Sequence, residues 1–432
     1  MQAFVVHGPV FVPVSTDYAD WHPHGAVAVD SDGRILYCGD EDTLPWEYAP
    51  LPFIRSREVL LPGFVDCHTH LPQYDCRGKF GVTLLDWLDQ FIYPEEARFT
   101  DEHVARDVAR RFYRGMLEAG TTTAAVYASV HERAAWIAFE EAERSRLRII
   151  LGKVMMDRDA PDSLLESVSA STNATRRLIE AWHRKTPRLR YAVTPRFAPT
   201  CTGAMLRAAA GLAQGFSTHV QTHVNESRAE VGLVKELFPA AASYMNVYEQ
   251  AGLLGSRTVL AHNIHPVDEE LDICERLDCA VAHCPDSNLF LGSGRFPLER
   301  YEGRAIRIGL GSDVGAGTTL SMPAIMRSMA WVQGRSLNPF LPLYHATLGG
   351  ARALSLHDET GTLRKGLQAD MVAVHVDEHF AKGRPLAQLR PLEIASALVY
   401  RTRSSDIRRV WVGGELLYDA DGEQTPAEDS SR

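Results

Sequence analysis

The most informative segment of the sequence is Leu61-Pro62-Gly63-Phe64-Val65-Asp66-Cys67-His68-Thr69-His70. Its apolar residues follow a Pro-Gly turn signal and predict a buried strand over residues 63–70. Side chains alternate between the two faces of a strand, so His68 and His70 point to the same side and can contact one ion. A strand that ends in two such histidines predicts that the chemistry lies at the carboxyl edge of a sheet.

The sequence after this strand alternates apolar strand candidates with amphipathic segments, for example residues 102–117, 163–182 and 268–277. Eight strand and helix units over about 300 residues predict an α/β fold of the TIM (β/α)8 barrel type. The eight strand candidates are residues 63–70, 121–127, 146–156, 188–197, 218–223, 258–262, 279–284 and 307–313.

Both ends of the chain differ from this pattern. The first 60 residues and the last 70 or so consist of short β-like runs separated by turn signals, including a hairpin at Gly413 and Gly414. We therefore expect residues 1–60 and 365–432 to form one small composite β-sandwich domain, and residues 61–364 to form the barrel. The polar stretch 419–432 is expected to be solvated.

The composition narrows the class of protein. The chain has 432 residues, a net charge of -10 and seven scattered cysteines, which favour reduced thiols in the cytoplasm over a disulfide framework. The amino terminus lacks the features of a signal peptide, and no apolar run is long enough to span a membrane. Because binding to phosphates needs a basic surface, the acidic charge disfavours a nucleic acid partner. A small neutral substrate fits better than a nucleic acid or a membrane.

Polar residues fall at the carboxyl ends of the predicted strands, and in a TIM barrel these ends converge on one mouth that holds the active site. Three imidazoles and one carboxylate suit Zn²⁺ and leave room for a catalytic water. Taken singly, each histidine could be a packed core residue, which is the interpretation we keep for His219, His265 and His283. The residues at the strand ends are His68, His70, Arg196, His223, His262 and Asp313.

One metal is the expected count. Binuclear barrels of this kind bridge two metals with a carboxylated lysine at the end of strand four, but that strand ends here in Arg196. Lys153 lies within the third predicted strand and is a poor substitute. The sequence therefore predicts one Zn²⁺ per chain.

Glu226 and His262 are candidates for moving and orienting protons. Glu226 comes three residues after His223, where a carboxylic acid could give a proton to a ring nitrogen of the substrate. The alternative is a solvated loop charge or a partner for the dipole of the next helix. His262 ends strand six and could polarise or orient the water, or be structural.

The residues 61–70 resemble the strand-one signature of the amidohydrolase superfamily. Other segments are similar to the guanine deaminase family within it, and the similarity runs from about residue 60 to residue 375. These segments are His70-Leu71-Pro72-Gln73-Tyr74, Leu84-Leu85-Asp86-Trp87-Leu88, Val193-Thr194-Pro195-Arg196-Phe197, Gln221-Thr222-His223-Val224-Asn225-Glu226, His283-Cys284-Pro285 with Ser287-Asn288, and Gly311-Ser312-Asp313-Val314.

The resemblance implies zinc-dependent conversion of guanine and water to xanthine and ammonia, usually by a homodimer. It implies that Arg196 offers donors to the O6 side of guanine and that Phe197 stacks on the purine. The implied zinc ligands are His68, His70, His223 and Asp313; the implied catalytic residues are Glu226, His262 and Asp313; the implied substrate contacts are Gln73, Arg196, Phe197, His223, Glu226 and Asp313.

Several alternatives remain at this point. A related aminohydrolase could act on 8-oxoguanine, a pterin or a formimino compound, since residues 74–80 and 315–317 look individual and line the mouth. A scaffold without catalysis would need a missing ligand, and every expected ligand is present in the sequence. A nucleic acid deaminase is opposed by the acidic charge and by the absence of its H-x-E and P-C-x-x-C motifs.

Overall fold

The computed structural model describes residues 1–81, 83–377 and 379–422. Its centre is a parallel sheet in which eight strands pair in chain order, as a TIM barrel requires. We number them barrel strands 1 to 8. Their bounds are Phe64–His70, Thr121–Tyr127, Arg148–Gly152, Leu189–Pro195, His219–Val224, Thr258–His262, Ala280–His283 and Arg307–Leu310, and a short strand, Val154–Met155, also pairs with strand 4.

The ring closes where the chain after strand 8 meets strand 1. The amide N–H of Asp313 donates to the carbonyl oxygen of His68 over 2.8 Å, and that of His70 donates to the carbonyl oxygen of Val314 over 2.8 Å. Closure therefore brings Asp313 beside both histidines. Strand 8 ends before the predicted residue 313, because the amide of Ser312 bonds to a side chain, the Asp66 carboxylate, instead of a strand.

The helices surround the barrel, and two of them, Glu102–Glu118 and Asp268–Arg276, match the predicted segments closely. The predicted helix over 163–182 begins later, at Val168, because the Ser167 hydroxyl accepts from the amide of Ala170 and caps it there. Among the residues that the structure describes, no helix is both long and apolar enough to cross a membrane. The helices are Leu84–Trp87, Tyr93–Ala97, Glu102–Glu118, Glu132–Ser145, Val168–Trp182, Gly203–Phe216, Arg228–Leu237, Tyr244–Ala251, Asp268–Arg276, Pro285–Phe290, Met322–Val332, Phe340–His345, Leu348–Ala353 and Pro391–Tyr400.

Strands from both chain ends form a second, mixed sheet, which confirms the composite β domain. Val59–Pro62 leads directly into barrel strand 1 and pairs with Met371–Val374, so it fixes the start of the barrel against this sheet. This strand also runs past the predicted boundary at residue 60, and the exact division of the domains stays a prediction. The strands are Phe4–Pro13, Ala19–Val29, Ile35–Asp40, Phe53–Arg55, Val59–Pro62, Met371–Val374, Ile407–Val412 and Glu415–Asp419.

The carboxyl-terminal segment also contains a helix, Pro391–Tyr400, where the sequence predicts only short β-like runs. Pro391 suits the first turn of a helix, and the Glu393 carboxylate accepts from the amide of Arg390, which caps the start. Five of its apolar residues are buried, and the helix packs against the helices Met322–Val332 and Phe340–His345. Of the predicted solvated stretch 419–432, residues 423–432 lie outside the described residues.

Candidate active site

The four side chains expected to hold a metal meet at the mouth of the barrel, all of them buried. The Nε2 atom of His70 lies 3.1 Å from Nε2 of His68 and 3.2 Å from Nε2 of His223. The Oδ1 atom of Asp313 lies 3.1 Å from Nε2 of His68 and 3.3 Å from Nε2 of His70. Donor atoms held about 2.0–2.1 Å from one tetrahedral zinc ion lie roughly 3.3 Å apart, so these four separations match those expected around such an ion.

The protonation of these side chains also suits a cation. Burial lowers the pKa of His70 to about 3 and that of His223 well below its usual value, so both rings are neutral. The Nδ1–H of His223 donates to the carbonyl oxygen of Arg196 over 2.7 Å, which leaves the lone pair of Nε2 facing the other donors. Burial favours the protonated form of Asp313, but the adjacent His68 and His70 outweigh it and hold the pKa of this carboxyl well below its usual value.

Asp66, in the stretch that opens the barrel, positions the ligands from both sides of the closure. Its buried carboxylate accepts from the hydroxyl of Ser312 over 2.5 Å, from the amide of Ser312 over 2.9 Å and from the amide of His68 over 3.2 Å. Burial raises the pKa of Asp66 to about 6, against the lowering effect of the bonds from Ser312. A role for Asp66 was not predicted from the sequence, although it lies two residues before His68.

Glu226 follows barrel strand 5 and is buried inside the site, which is not the position of a solvated loop charge. Burial raises its pKa to about 8, and the nearby charge of Asp313 adds to this, so the side chain carries a proton at neutral pH. The Ser293 hydroxyl lies 3.4 Å from its Oε1 atom. The buried Glu230 accepts from the amide of Glu226 over 3.0 Å and fixes its backbone.

His262 has one ring nitrogen fixed and the other turned to the reacting groups. Its Nδ1–H donates to Oδ1 of Asn288 over 3.0 Å, so Nε2 carries the lone pair. Nε2 lies 3.5 Å from Oε2 of Glu226 and 3.8 Å from Oδ2 of Asp313. Asn288 lies in one of the segments that resemble the family, but its hydrogen bond to His262 could not be predicted from the sequence.

The three histidines expected to be structural lie outside this cluster. His283 is buried with its ring stacked on Phe296 at a centroid distance of 4.4 Å. His219 bonds to the carbonyl oxygen of Leu354, and His265 bonds to that of Ser293.

A cavity lies beside the metal donors, and every residue predicted to contact the substrate lines it. Trp87, Leu88 and Leu291 provide apolar walls, and Ala316 belongs to the individual segment 315–317 noted in the sequence. The residues that line the cavity are His70, Gln73, Leu84, Trp87, Leu88, Arg196, Phe197, His223, Glu226, His262, Leu291, Asp313 and Ala316.

The guanidinium of Arg196 was expected to offer its donors to the substrate, but one of its nitrogens already binds another side chain. Its Nη1 atom lies 2.9 Å and 2.7 Å from the two carboxylate oxygens of Glu96, and both residues are buried. Gln73 donates from Nε2 to the same Glu96 over 2.9 Å and accepts from the amide of Gly315 over 3.3 Å. Glu96 was not predicted, because Glu95 and Glu96 are adjacent and the sequence does not show which of them faces the site.

Known proteins resemble the chain over most of its length. The model of the amidohydrolase family matches residues 59–417. The guanine deaminase of Escherichia coli (strain K12) is 39% identical over 380 residues, 85% of this chain and 85% of that protein. A crystal structure of guanine deaminase from C. acetobutylicum with bound guanine in the active site has a TM-score of 0.90 and 28% identity, and covers 96% of this chain and 100% of its own. A crystal structure of an adenosine deaminase from Xanthomonas campestris with bound zinc has a TM-score of 0.84 and 26% identity, and covers 98% of this chain and 95% of its own.

Proposed function

The chain belongs to the amidohydrolase family. We propose that it is a guanine deaminase, which converts guanine and water to xanthine and ammonia. The observation that carries the proposal is one cavity lined by three of the four expected metal donors together with Glu226, Gln73 and Arg196. The three donors are His70, His223 and Asp313. The similarity to guanine deaminases, one of them with guanine bound in its active site, supports guanine as the substrate.

We propose one zinc ion per chain, held by His68, His70, His223 and Asp313. The spacing of their donor atoms supports the ion, and the zinc in the similar adenosine deaminase supports its identity. When bound, the ion supplies Lewis acidity that makes a water molecule nucleophilic near neutral pH. Lys153 supports a single ion, because its buried ammonium pairs with Glu166 and not with the cluster.

The chain's own residues then move the protons. Glu226, protonated at neutral pH, would donate to N3 of guanine and make C2 electrophilic. Asp313 would accept a proton from the attacking water, with Nε2 of His262 orienting it. As the bond from C2 to oxygen forms and the bond from C2 to the exocyclic amine breaks, the proton held by Asp313 would pass to the amine, which leaves as ammonia. The proton on N3 stays with xanthine, and the remaining proton of the C2 hydroxyl would return to Glu226 as the C2 carbonyl forms.

The rest of the cavity would recognise the purine. Arg196 would donate to the O6 side of guanine, the Gln73 amide can donate and accept, and Phe197 packs beside the ring of His223 at a centroid distance of 6.2 Å, where a purine face can stack. Because Arg196 is a donor, an exocyclic amine at the position of O6 would place two donors against each other.

A panel of heterocycles tests the substrate. We expect the purified protein to deaminate guanine with a higher kcat/KM than 8-oxoguanine or pterin, and to turn over adenine at least about tenfold more slowly, since an unpaired buried polar group costs about 1–3 kcal/mol. Ultraviolet spectra follow each reaction. If pterin or 8-oxoguanine were deaminated faster than guanine, that compound would be the substrate, and the reaction would still be a hydrolytic deamination.

The metal content is a second test. We expect elemental analysis to find close to one zinc per chain, because four donors converge and strand 4 ends in Arg196. His68→Ala should lose the metal, whereas His265→Ala, whose imidazole bonds to the carbonyl oxygen of Ser293, should keep it. Two zinc ions per chain in fully active protein would contradict the single-ion assignment.

We also propose that the protein works in the cytoplasm as a homodimer. The seven cysteines are unpaired and six of them are buried, which suits a reducing compartment. The dimer rests on the family resemblance, and light scattering of the purified protein tests it.

A further inference from the structure

Glu96 lies behind the purine-binding wall of the cavity. It is on the short helix Tyr93–Ala97, is buried, and accepts from both Gln73 and Arg196. Within the described chain, those two partners line the cavity but Glu96 does not. Glu96 therefore acts on a bound purine through its partners, as a positioning residue.

The first consequence concerns the orientation of Gln73. A carboxylate only accepts hydrogen bonds, so the amide must turn its NH₂ group to Glu96. The carbonyl oxygen of Gln73 then faces the amide of Gly315, close to the segment that carries Asp313. Glu96 thus removes the ambiguity of an amide that could otherwise flip, and the purine meets one fixed pattern of donors and acceptors.

The second consequence concerns charge. Glu96 engages only Nη1 of Arg196; Nε and Nη2 form no hydrogen bond within the described residues and remain for a ligand. Without Glu96, a buried guanidinium would face the cavity with no counter-charge. An isolated buried cation attracts anions strongly, because interactions between charges are screened little in the interior.

Substrate and product differ in acidity. Guanine is a neutral lactam, whereas xanthine has a second carbonyl in place of the amine and a proton on N3, so xanthine loses a ring proton more readily than guanine does. We propose that Glu96, by pairing with Arg196 and Gln73, keeps the purine-binding wall neutral, so that the cavity favours neutral guanine and releases the more acidic product. This inference rests on the proposed function.

Two substitutions separate charge from position. Glu96→Gln keeps the size of the side chain and removes its charge, and Glu96→Asp keeps the charge and shortens the side chain. We expect both to raise the KM for guanine by about tenfold with a smaller change in kcat, because glutamine makes weaker bonds to Arg196 and aspartate is too short to reach Arg196 and Gln73. Only Glu96→Gln should tighten competitive inhibition by xanthine, by about tenfold at mildly alkaline pH where more of the xanthine is anionic, because only this variant leaves the buried guanidinium without a counter-charge.

Glu95→Gln is the matched control. Glu95 is the neighbouring buried carboxylate, but it pairs with the exposed Arg98 and not with the cavity residues. We expect its KM, kcat and inhibition by xanthine to equal those of the wild type. Zinc content and thermal melting are measured on every sample, so that a loss of fold is not mistaken for a loss of selectivity.

The outcomes are distinct. An unchanged inhibition constant for xanthine in folded Glu96→Gln would overturn the role in charge, and an unchanged KM in Glu96→Asp would overturn the role in positioning. If Glu96→Gln does not fold, the double variant Glu96→Gln, Arg196→Met replaces it, because both buried charges are then removed. We expect calorimetry to show that this double variant binds xanthine no more tightly than the wild type. Tighter binding would contradict the role of the Arg196 charge. A wild type that fails to turn over guanine would instead refute the proposed function.

Discussion

Glu226→Gln should keep its zinc and its fold while kcat for guanine falls by roughly 10²–10⁴-fold, the usual contribution of a general acid or base. The glutamine keeps the size of the side chain and can still bond to Ser293, but it cannot give up and recover a proton. The position of Glu226, with Oε2 3.5 Å from Nε2 of His262 and beside Asp313, is the reason for expecting so large a loss. Steady-state kinetics and metal analysis on the same samples measure both effects.

The control for this variant is Glu236→Gln, on the exposed side of the helix Arg228–Leu237 that follows Glu226. It changes the net charge equally and should leave kcat unchanged. If Glu226→Gln turned over guanine at nearly the rate of the wild type, the proton would have to move through another group, and His262 would be the next candidate.

The metal donors could be predicted from sequence because each lies at or near the carboxyl end of a strand, and the barrel topology brings these ends together. The spacing of His68 and His70 fixes their common face within a single strand. Asp313 was predicted on strand 8, but it lies just beyond it, on the segment that Asp66 holds through Ser312. Asp313 still lies beside His68 and His70, because the backbone hydrogen bonds between this segment and strand 1 hold it there.

The environment of Arg196 could be predicted only in part. The residue is in the cavity, as expected, but its pairing with Glu96 depends on how the helix Tyr93–Ala97 packs over the mouth. The helix Pro391–Tyr400 was missed for a related reason. Its apolar run suits a buried strand as well as a helix, and contact with the barrel helices decides between them.

Arg196→Met should lower kcat/KM for guanine by on the order of 10³-fold, because it removes the donors for O6 and leaves Glu96 as a buried charge without its partner. The loss of a buried partner should also lower the free energy of unfolding by about 3–5 kcal/mol. Zinc should be retained, since His223 bonds to the backbone carbonyl of Arg196 and not to its side chain. Kinetics, chemical denaturation and metal analysis measure the three effects.

The double variant Arg196→Met, Glu96→Gln separates stability from recognition. With both charges removed, no unpaired ion remains in the interior, so most of the lost stability should return. Activity on guanine should stay low, because the donors that face O6 are still missing. If the double variant regained activity together with stability, Arg196 would stabilise the fold without contacting the substrate. Arg196 would then not be the residue that distinguishes O6 of guanine from the amine of adenine.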